Sequence, residues 1–183
     1  AKDVLLKARN ILAVNQIKKI GVNEFTKDLS HMGLNVLSAD KRLGLSLALG
    51  TEEMKLTDLA NAYAVFPRKG LWKPLKIFAQ EPENRGIKVY TEGASYLTLR
   101  SLGISGSGEE FKPGYKTGTS WNHRDAWAIV LTPEYVIGVW CGRLSGEGQN
   151  ILLGAEIALP IAMEIQTLIS LNRNIGNWEK PSS

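Results

Sequence analysis

Cysteine and histidine are scarce in this sequence, and their scarcity limits the chemistry that the chain can carry. It has one cysteine, Cys141, and two histidines, His31 and His123, which lie far apart in sequence. A disulfide within the chain and a cysteine-based metal site are therefore excluded. A two-histidine metal site and a Ser-His-Asp triad are poorly supported. We expect no metal and no cofactor, and we interpret Cys141 as a small buried residue.

Long uninterrupted apolar runs and dense basic clusters are also absent. The most apolar segment, residues 151–171, contains Glu156, Pro160 and Glu164. We interpret it as an amphipathic, mostly buried helix and not as a membrane segment. The net charge of +4 comes from scattered lysines and arginines, so nucleic-acid binding has little support. Charged residues interrupt the early apolar stretch, and we expect no signal peptide there.

The spacing of apolar residues changes along the chain from a helical to a strand pattern. Helical spacing predicts helices at 3–20, 23–32, 57–66 and 91–102, and a short buried element at 43–50. Strands are predicted at 71–78, 115–120, 126–132 and 136–143, and a closing helix at 154–170. Because a tight turn at 132–134 joins the last two strands, they should form an antiparallel hairpin. Helices followed by an antiparallel sheet and a final helix indicate an α+β fold.

The most informative stretch is Lys-Thr-Gly-Thr-Ser at residues 116–120, on a predicted strand. Gly118 allows another backbone or a ligand to approach closely. Lys116 supplies positive charge, and the neighbouring hydroxyls and backbone N–H groups supply hydrogen bonds. The combination predicts a strand edge that receives an extended substrate bearing a carboxylate. A hairpin strand with an incidental lysine and a glycine at a bulge is the alternative.

Several stretches, taken in order, resemble the transpeptidase domain of class A penicillin-binding proteins, and among them the 1C subgroup. They are residues 10–22, 43–50, 59–64, 116–119 and 125–127. The resemblance implies a partial β-lactamase/transpeptidase-like α+β fold, with residues 1–183 as the C-terminal portion of the domain. Its helical part would span about 1–70, and its hairpin sheet and closing helix about 112–171.

The resemblance implies acyl transfer on stem peptides that end in D-Ala-D-Ala, and penicillin binding. If the roles of the family's residues apply here, Lys116 sets the positive potential of the cleft. Asn10 would then be the asparagine of a second family motif, S-x-N. The substrate-binding residues implied are Thr117, Gly118, Thr119 and Ser120. The backbone N–H of Thr119 would form half of an oxyanion hole.

Two departures from the family pattern predict that this chain is inactive alone. The S-x-N position reads Ala8-Arg9-Asn10 and lacks the hydroxyl. The S-x-x-K nucleophile should lie well before that position, whereas the literal match, Ser38 to Lys41, follows it. We interpret this match as chance. We therefore expect a fragment of a serine-type D,D-transpeptidase whose nucleophile lies elsewhere.

The expected partners are a peptidoglycan stem peptide or a β-lactam, and the N-terminal half of the domain. The parent is expected at the outer, periplasmic face of the bacterial cytoplasmic membrane. A non-catalytic module that binds cell-wall peptides or a protein is the alternative, favoured by Ala8 and by the lack of the S-x-x-K nucleophile. A β-lactamase-type hydrolase is less supported, because no additional general base for deacylation is identifiable.

Residues that follow the Lys-Thr-Gly stretch have structural explanations too. We expect Asp125 to hold the turn through hydrogen bonds rather than to act in catalysis. Trp121 and Arg124 are equally compatible with substrate contact and with packing of the turn. Trp127 and Trp140 are expected in the core or on a sheet face.

Overall fold

The computed structural model describes residues 10–34, 44–105, 111–148, 151–173 and 175–181. Its helices are α1 (Asn10–Ile20), α2 (Val22–His31), a 3-10 helix (Gly44–Leu49), α3 (Leu56–Tyr63), α4 (Glu92–Ser101) and α5 (Leu159–Asn172). A π-helical turn (Gly154–Ala158) leads into α5. The strands are β1 (Leu71–Trp72), β2 (Ile87–Lys88), β3 (Gly114–Thr119), β4 (Asp125–Leu131) and β5 (Val136–Gly142).

The three longer strands form one antiparallel sheet in the order β3-β4-β5. On one face, Ala128 and Val130 of β4 pack against Ala158 and Ala162 at the start of the closing helix. Small side chains on both sides allow the helix and the sheet to approach closely. The predicted α+β arrangement, with its hairpin and closing helix, is therefore present.

The opposite face of the sheet packs on the helical part of the chain. Ile129 and Leu131 of β4 are buried there with Leu99 and Leu102, from α4 and the residue after it. Since successive strand residues point to opposite faces, β4 contributes to both cores. The helices themselves enclose a further cluster of buried residues: Leu29, Met32, Leu34, Leu47, Ala62 and Val65.

The predicted helices are present within the described residues, with ends shifted by a few positions. Gly21, with a φ of 92°, separates the first two. Thr91 caps α4 as predicted, because its hydroxyl accepts a hydrogen bond from Ala94 N–H at 3.1 Å. The strand predicted at 71–78 is wrong beyond Trp72, where pairing with β2 ends. Residues 38–41 and Ala8 lie outside the described residues.

The prediction that the closing helix is mostly buried is wrong. Its buried positions form one stripe that includes Ala158, Ala162 and Gln166. Large apolar side chains on its other sides are exposed, namely Ile161, Ile165, Leu168 and Leu171. The reason is that a helix crossing a three-stranded sheet presents only one side to it. By length and composition alone, Gly154–Asn172 is also apolar enough to cross a membrane, with a mean hydropathy of 1.3.

Candidate functional site

The outer edge of β3 is open along the Lys-Thr-Gly stretch. Among the described residues, β4 pairs with β3 on one side and no strand pairs with it on the other. In an antiparallel strand, the N–H and C=O of alternate residues point to the same side. Tyr115 N–H donates to Leu102 O at 3.0 Å, outside the sheet. The backbone groups of Thr117 and Thr119 therefore point outward too, where an extended ligand can pair with them.

Lys116 lies on the face of the sheet that meets the helical part. It is paired with Ile129, whose side chain belongs to the core formed with α3 and α4. The Lys116 ammonium donates a hydrogen bond to Thr117 O at 2.5 Å, at the open edge. Partial burial lowers the pKa of Lys116 below its usual value. A cation held at this edge is suited to attract the carboxylate of a ligand.

The two threonines of the stretch point to the other face of the sheet. Thr117 and Thr119 pair with Ala128 and Ala126, which pack toward the closing helix. The Thr119 hydroxyl accepts a hydrogen bond from Gly154 N–H at 3.0 Å and keeps its own hydrogen for another acceptor. Thr119 therefore has a structural role that the sequence did not indicate, and its ligand role stays a prediction.

Gly118 is exposed, and the fold itself does not require a glycine there. A Cβ at this position would have an ordinary contact with Trp127 Cβ at 3.7 Å. Gly154 is different, because a Cβ there would overlap the carbonyl oxygen of Gly118 and lie 2.7 Å from Trp127 O. The start of the closing helix thus supports the strand directly behind the open edge.

Asp125 fastens the end of the Lys-Thr-Gly strand, as predicted. Its backbone N–H donates to Ser120 Oγ at 2.8 Å, and Ser120 N–H donates to Asp125 O at 3.0 Å. Its carboxylate accepts a hydrogen bond from Trp140 Nε1 on β5 at 2.9 Å. The bond to Trp140 links β4 to β5, and the bonds to Ser120 link β4 to the end of β3; sequence alone gave no signal for the Trp140 bond. Ser120 therefore closes the turn, and its predicted contact with substrate stays a prediction.

Asn10 lies in the helical part of the chain and not on the sheet that carries Lys116. It begins α1 and is exposed, and α1 packs against the 3-10 helix and α2. Within the described ranges no hydrogen bond joins Asn10 to Lys116, whose ammonium donates to Thr117 O. The structure thus joins Lys116, Thr117, Gly118 and Thr119 in one edge, while the catalytic role of Asn10 stays a prediction.

Comparisons with known proteins identify relatives of this chain. Penicillin-binding protein 1C of Escherichia coli strain K12 is 30% identical over 195 aligned positions, which cover 99% of this chain and 24% of that protein. Penicillin-binding protein 1A of Clostridium botulinum strain Langeland is 29% identical over 164 positions, covering 78% of this chain and 20% of the relative. No protein-family model matches the chain.

The fold is found in a solved structure as well. The crystal structure of penicillin-binding protein 1A from Haemophilus influenzae matches 98% of this chain and 35% of its own, with a TM-score of 0.78 and 19% identity. The predicted partial, transpeptidase-like α+β fold is therefore confirmed. The resemblance on which this prediction was based is also confirmed, and the chain is a relative of the penicillin-binding proteins. It spans about a quarter of the length of the relatives that it matches.

Proposed function

We propose that the chain is the C-terminal portion of a peptidoglycan D,D-transpeptidase domain and forms the substrate-holding wall of its cleft. The observation that carries this proposal is the open edge of β3, where Lys116 lies beside outward-pointing backbone groups. An extended peptide can add to such an edge as a further strand, while side chains recognise its ends. The substrates would be stem peptides ending in D-Ala-D-Ala, with β-lactams binding at the same place.

Each residue of the edge has a role in this proposal. The Lys116 ammonium attracts the terminal carboxylate, and the Thr117 and Thr119 hydroxyls donate hydrogen bonds to it. Gly118, which the fold does not need, leaves room for the ligand backbone. The N–H of Thr119 stabilises charge on the carbonyl oxygen under attack. The attacking serine and its lysine come from outside these 183 residues, and the parent works at the outer face of the cytoplasmic membrane.

A fluorescent penicillin tests the position of the nucleophile. We expect the isolated chain to form no stoichiometric covalent adduct, because the S-x-x-K match at Ser38 is out of family order. The measurement is gel fluorescence followed by mass spectrometry, with a complete class A penicillin-binding protein as the positive control. An adduct mapped to Ser38 would show that this chain carries its own nucleophile and would contradict the proposed division of roles.

In the alternative proposal, the chain is a non-catalytic module whose open β3 edge binds a cell-wall peptide or a protein. The lack of the serine at Ala8 favours it, because the proton shuttle of the family would be incomplete. The gene upstream of residue 1 separates the two proposals. A serine and lysine spaced as S-x-x-K, about two helices before Ala8, support the enzyme, whereas their absence supports the module.

The chain has two adjacent surfaces that suit the N-terminal half of the domain as a partner. Among the described residues, β5 has no strand on its outer side, and an unpaired strand edge can pair with another chain. The exposed side of α5 carries Ile165 and Leu168, which line a groove of about 300 Å³ with Ile169, Asn172 and Arg173. We propose that the rest of the domain covers both surfaces.

Self-association of the isolated chain is the expected consequence of these exposed surfaces. Size-exclusion chromatography with light scattering should show species larger than a monomer. Leu168→Glu should shift the distribution toward monomer, because it places a charge on the apolar face of α5. Leu97→Glu is the matched control, since Leu97 is exposed on α4 away from that face. A wild-type chain that is a stable monomer would contradict the expectation.

A further inference from the structure

The turn that directly follows β3 presents an aromatic and a cationic side chain. Trp121 exposes 82% of its surface, which is unusual for a large aromatic residue. The Arg124 guanidinium lies over its ring, 6.0 Å from the ring centroid. Within the described ranges, no carboxylate forms an ion pair with Arg124. Trp121 therefore contacts Arg124 within the turn, while most of its indole stays open to solvent and accessible to a ligand.

The backbone holds this pair in a defined position. Asn122 and His123 have φ angles of 57° and 52°, in the left-handed region, where asparagine and histidine occur more often than most other non-glycine residues. The hydrogen bonds between Ser120 and Asp125 close the turn. Gly148 packs so closely on the Asn122 carbonyl that a Cβ would overlap it. The pair is thus presented on a tightly held turn, which reduces the entropy lost on binding.

We propose that Trp121 and Arg124 form a specificity subsite for the part of the peptide that precedes its C-terminal residues, and that this subsite prefers a carboxylate. The inference rests on the proposed function, because it requires a peptide paired with β3 whose terminal carboxylate lies near Lys116 and Thr117. Guanidinium groups bind carboxylates through paired hydrogen bonds. The exposed indole offers an apolar face to the methylene groups that carry the carboxylate.

The spacing along the strand defines which ligand residue reaches the subsite. A peptide whose carboxyl end lies beside Thr117 extends past Thr119 toward Trp121. Extended chains advance about 3.3 Å per residue, so the four positions from Thr117 to Trp121 correspond to about four ligand residues. The acidic side chain should therefore be on the fourth residue from the C-terminus of the ligand.

Two synthetic peptides ending in D-Ala-D-Ala test the subsite, one with glutamate and one with glutamine as the fourth residue from the C-terminus. NMR titration of the wild-type chain should give a dissociation constant about three- to fivefold lower for the glutamate peptide, as for an exposed ion pair. Arg124→Gln should remove this preference. Arg85→Gln, which neutralises an exposed arginine before β2, should retain it.

Further variants separate the aromatic contribution from a loss of folding. Trp121→Ala should weaken both peptides about threefold or more, and Trp121→Phe should restore most of the loss. Melting temperatures should stay within about 2 °C of wild type, because changes at exposed side chains alter stability little. A lower melting temperature with an unchanged glutamate preference would show a structural role and overturn the subsite.

The outcomes distinguish this inference from the proposed function. If Arg124→Gln keeps the glutamate preference, or if the wild type shows none, the subsite is overturned. If the subsite is overturned but Lys116→Met no longer binds either peptide, the proposed function still stands. If Lys116→Met binds both peptides as the wild type does, the proposed function fails. Absence of measurable binding to the wild type would overturn both.

Discussion

Gly154→Ala is expected to lower the free energy of unfolding by about 2–3 kcal/mol and to abolish peptide binding at the β3 edge. The added methyl would overlap the Gly118 carbonyl and crowd Trp127 O at 2.7 Å. Both neighbours are backbone atoms of paired strands, so they cannot turn aside as a flexible side chain would. Overpacking of this kind costs about 1–3 kcal/mol, and here relief requires the closing helix to move away from β3. Urea denaturation measures the loss.

Gly118→Ala is the matched control for that variant. Its methyl would make only an ordinary contact, at 3.7 Å from Trp127 Cβ. We therefore expect its stability to stay within about 0.5 kcal/mol of wild type, while peptide binding weakens because the methyl occupies space beside the ligand backbone. A Gly154→Ala protein as stable as Gly118→Ala would contradict the close support of β3 by the closing helix.

Lys116→Met is expected to weaken peptide binding at least about tenfold without reducing stability at neutral pH. Hydrogen bonds to charged groups contribute about 1.5–3 kcal/mol, and 1.4 kcal/mol corresponds to a factor of ten in affinity. Binding of a peptide ending in D-Ala-D-Ala should therefore weaken at least about tenfold. Methionine fills much of the same volume and removes the cost of partly burying an ammonium group. NMR titration and urea denaturation measure the two effects.

The stability difference between this variant and the wild type should depend on pH with a defined sign. Burial lowers the pKa of Lys116 from its usual value of 10.5, so the unfolded chain binds this proton more tightly than the folded one. The wild type therefore gains stability as pH rises from the lowered pKa toward 10.5. Any advantage of Lys116→Met should be largest at neutral pH and shrink across that window.

Lys112→Met provides the control for loss of charge alone. Lys112 is exposed two residues before β3 begins, so its replacement removes one positive charge without altering the open edge. We expect peptide affinity to change less than twofold, because interactions between separated exposed charges are screened by salt. Equal losses of affinity in Lys112→Met and Lys116→Met would assign the effect to net charge and contradict the local role of Lys116.

Much of the architecture follows from patterns that are local in sequence. Alternation of apolar and polar residues predicts three strands near the observed β3, β4 and β5, and the turn at 132–134 predicts their hairpin. The N-cap at Thr91 is equally local, since its hydroxyl bonds a backbone group three residues away. The strand predicted at 71–78 extended too far because an apolar pattern does not reveal where a partner strand ends.

The environment of the candidate site depends on contacts between residues distant in sequence. Gly154 donates its N–H to Thr119, which lies 35 positions earlier. Trp140 reaches the Asp125 carboxylate across 15 positions. The spacing of apolar residues in the sequence predicts neither hydrogen bond, because each depends on how the closing helix and the strands pack. The turn that carries Trp121 likewise depends on a contact distant in sequence, because Gly148 packs on the Asn122 carbonyl.

The sequence by itself determined the α+β class, the hairpin, the resemblance to penicillin-binding proteins and the residues of the Lys-Thr-Gly stretch. These depend on residue type and near-neighbour spacing, which are present in the linear chain. Only the tertiary structure decided which edge of β3 is open among the described residues, which face of the sheet Lys116 and the threonines each take, and that Gly154 rather than Gly118 is required by packing. The physical reason is that strand order and helix-to-sheet distance arise from the combined burial of residues far apart in sequence.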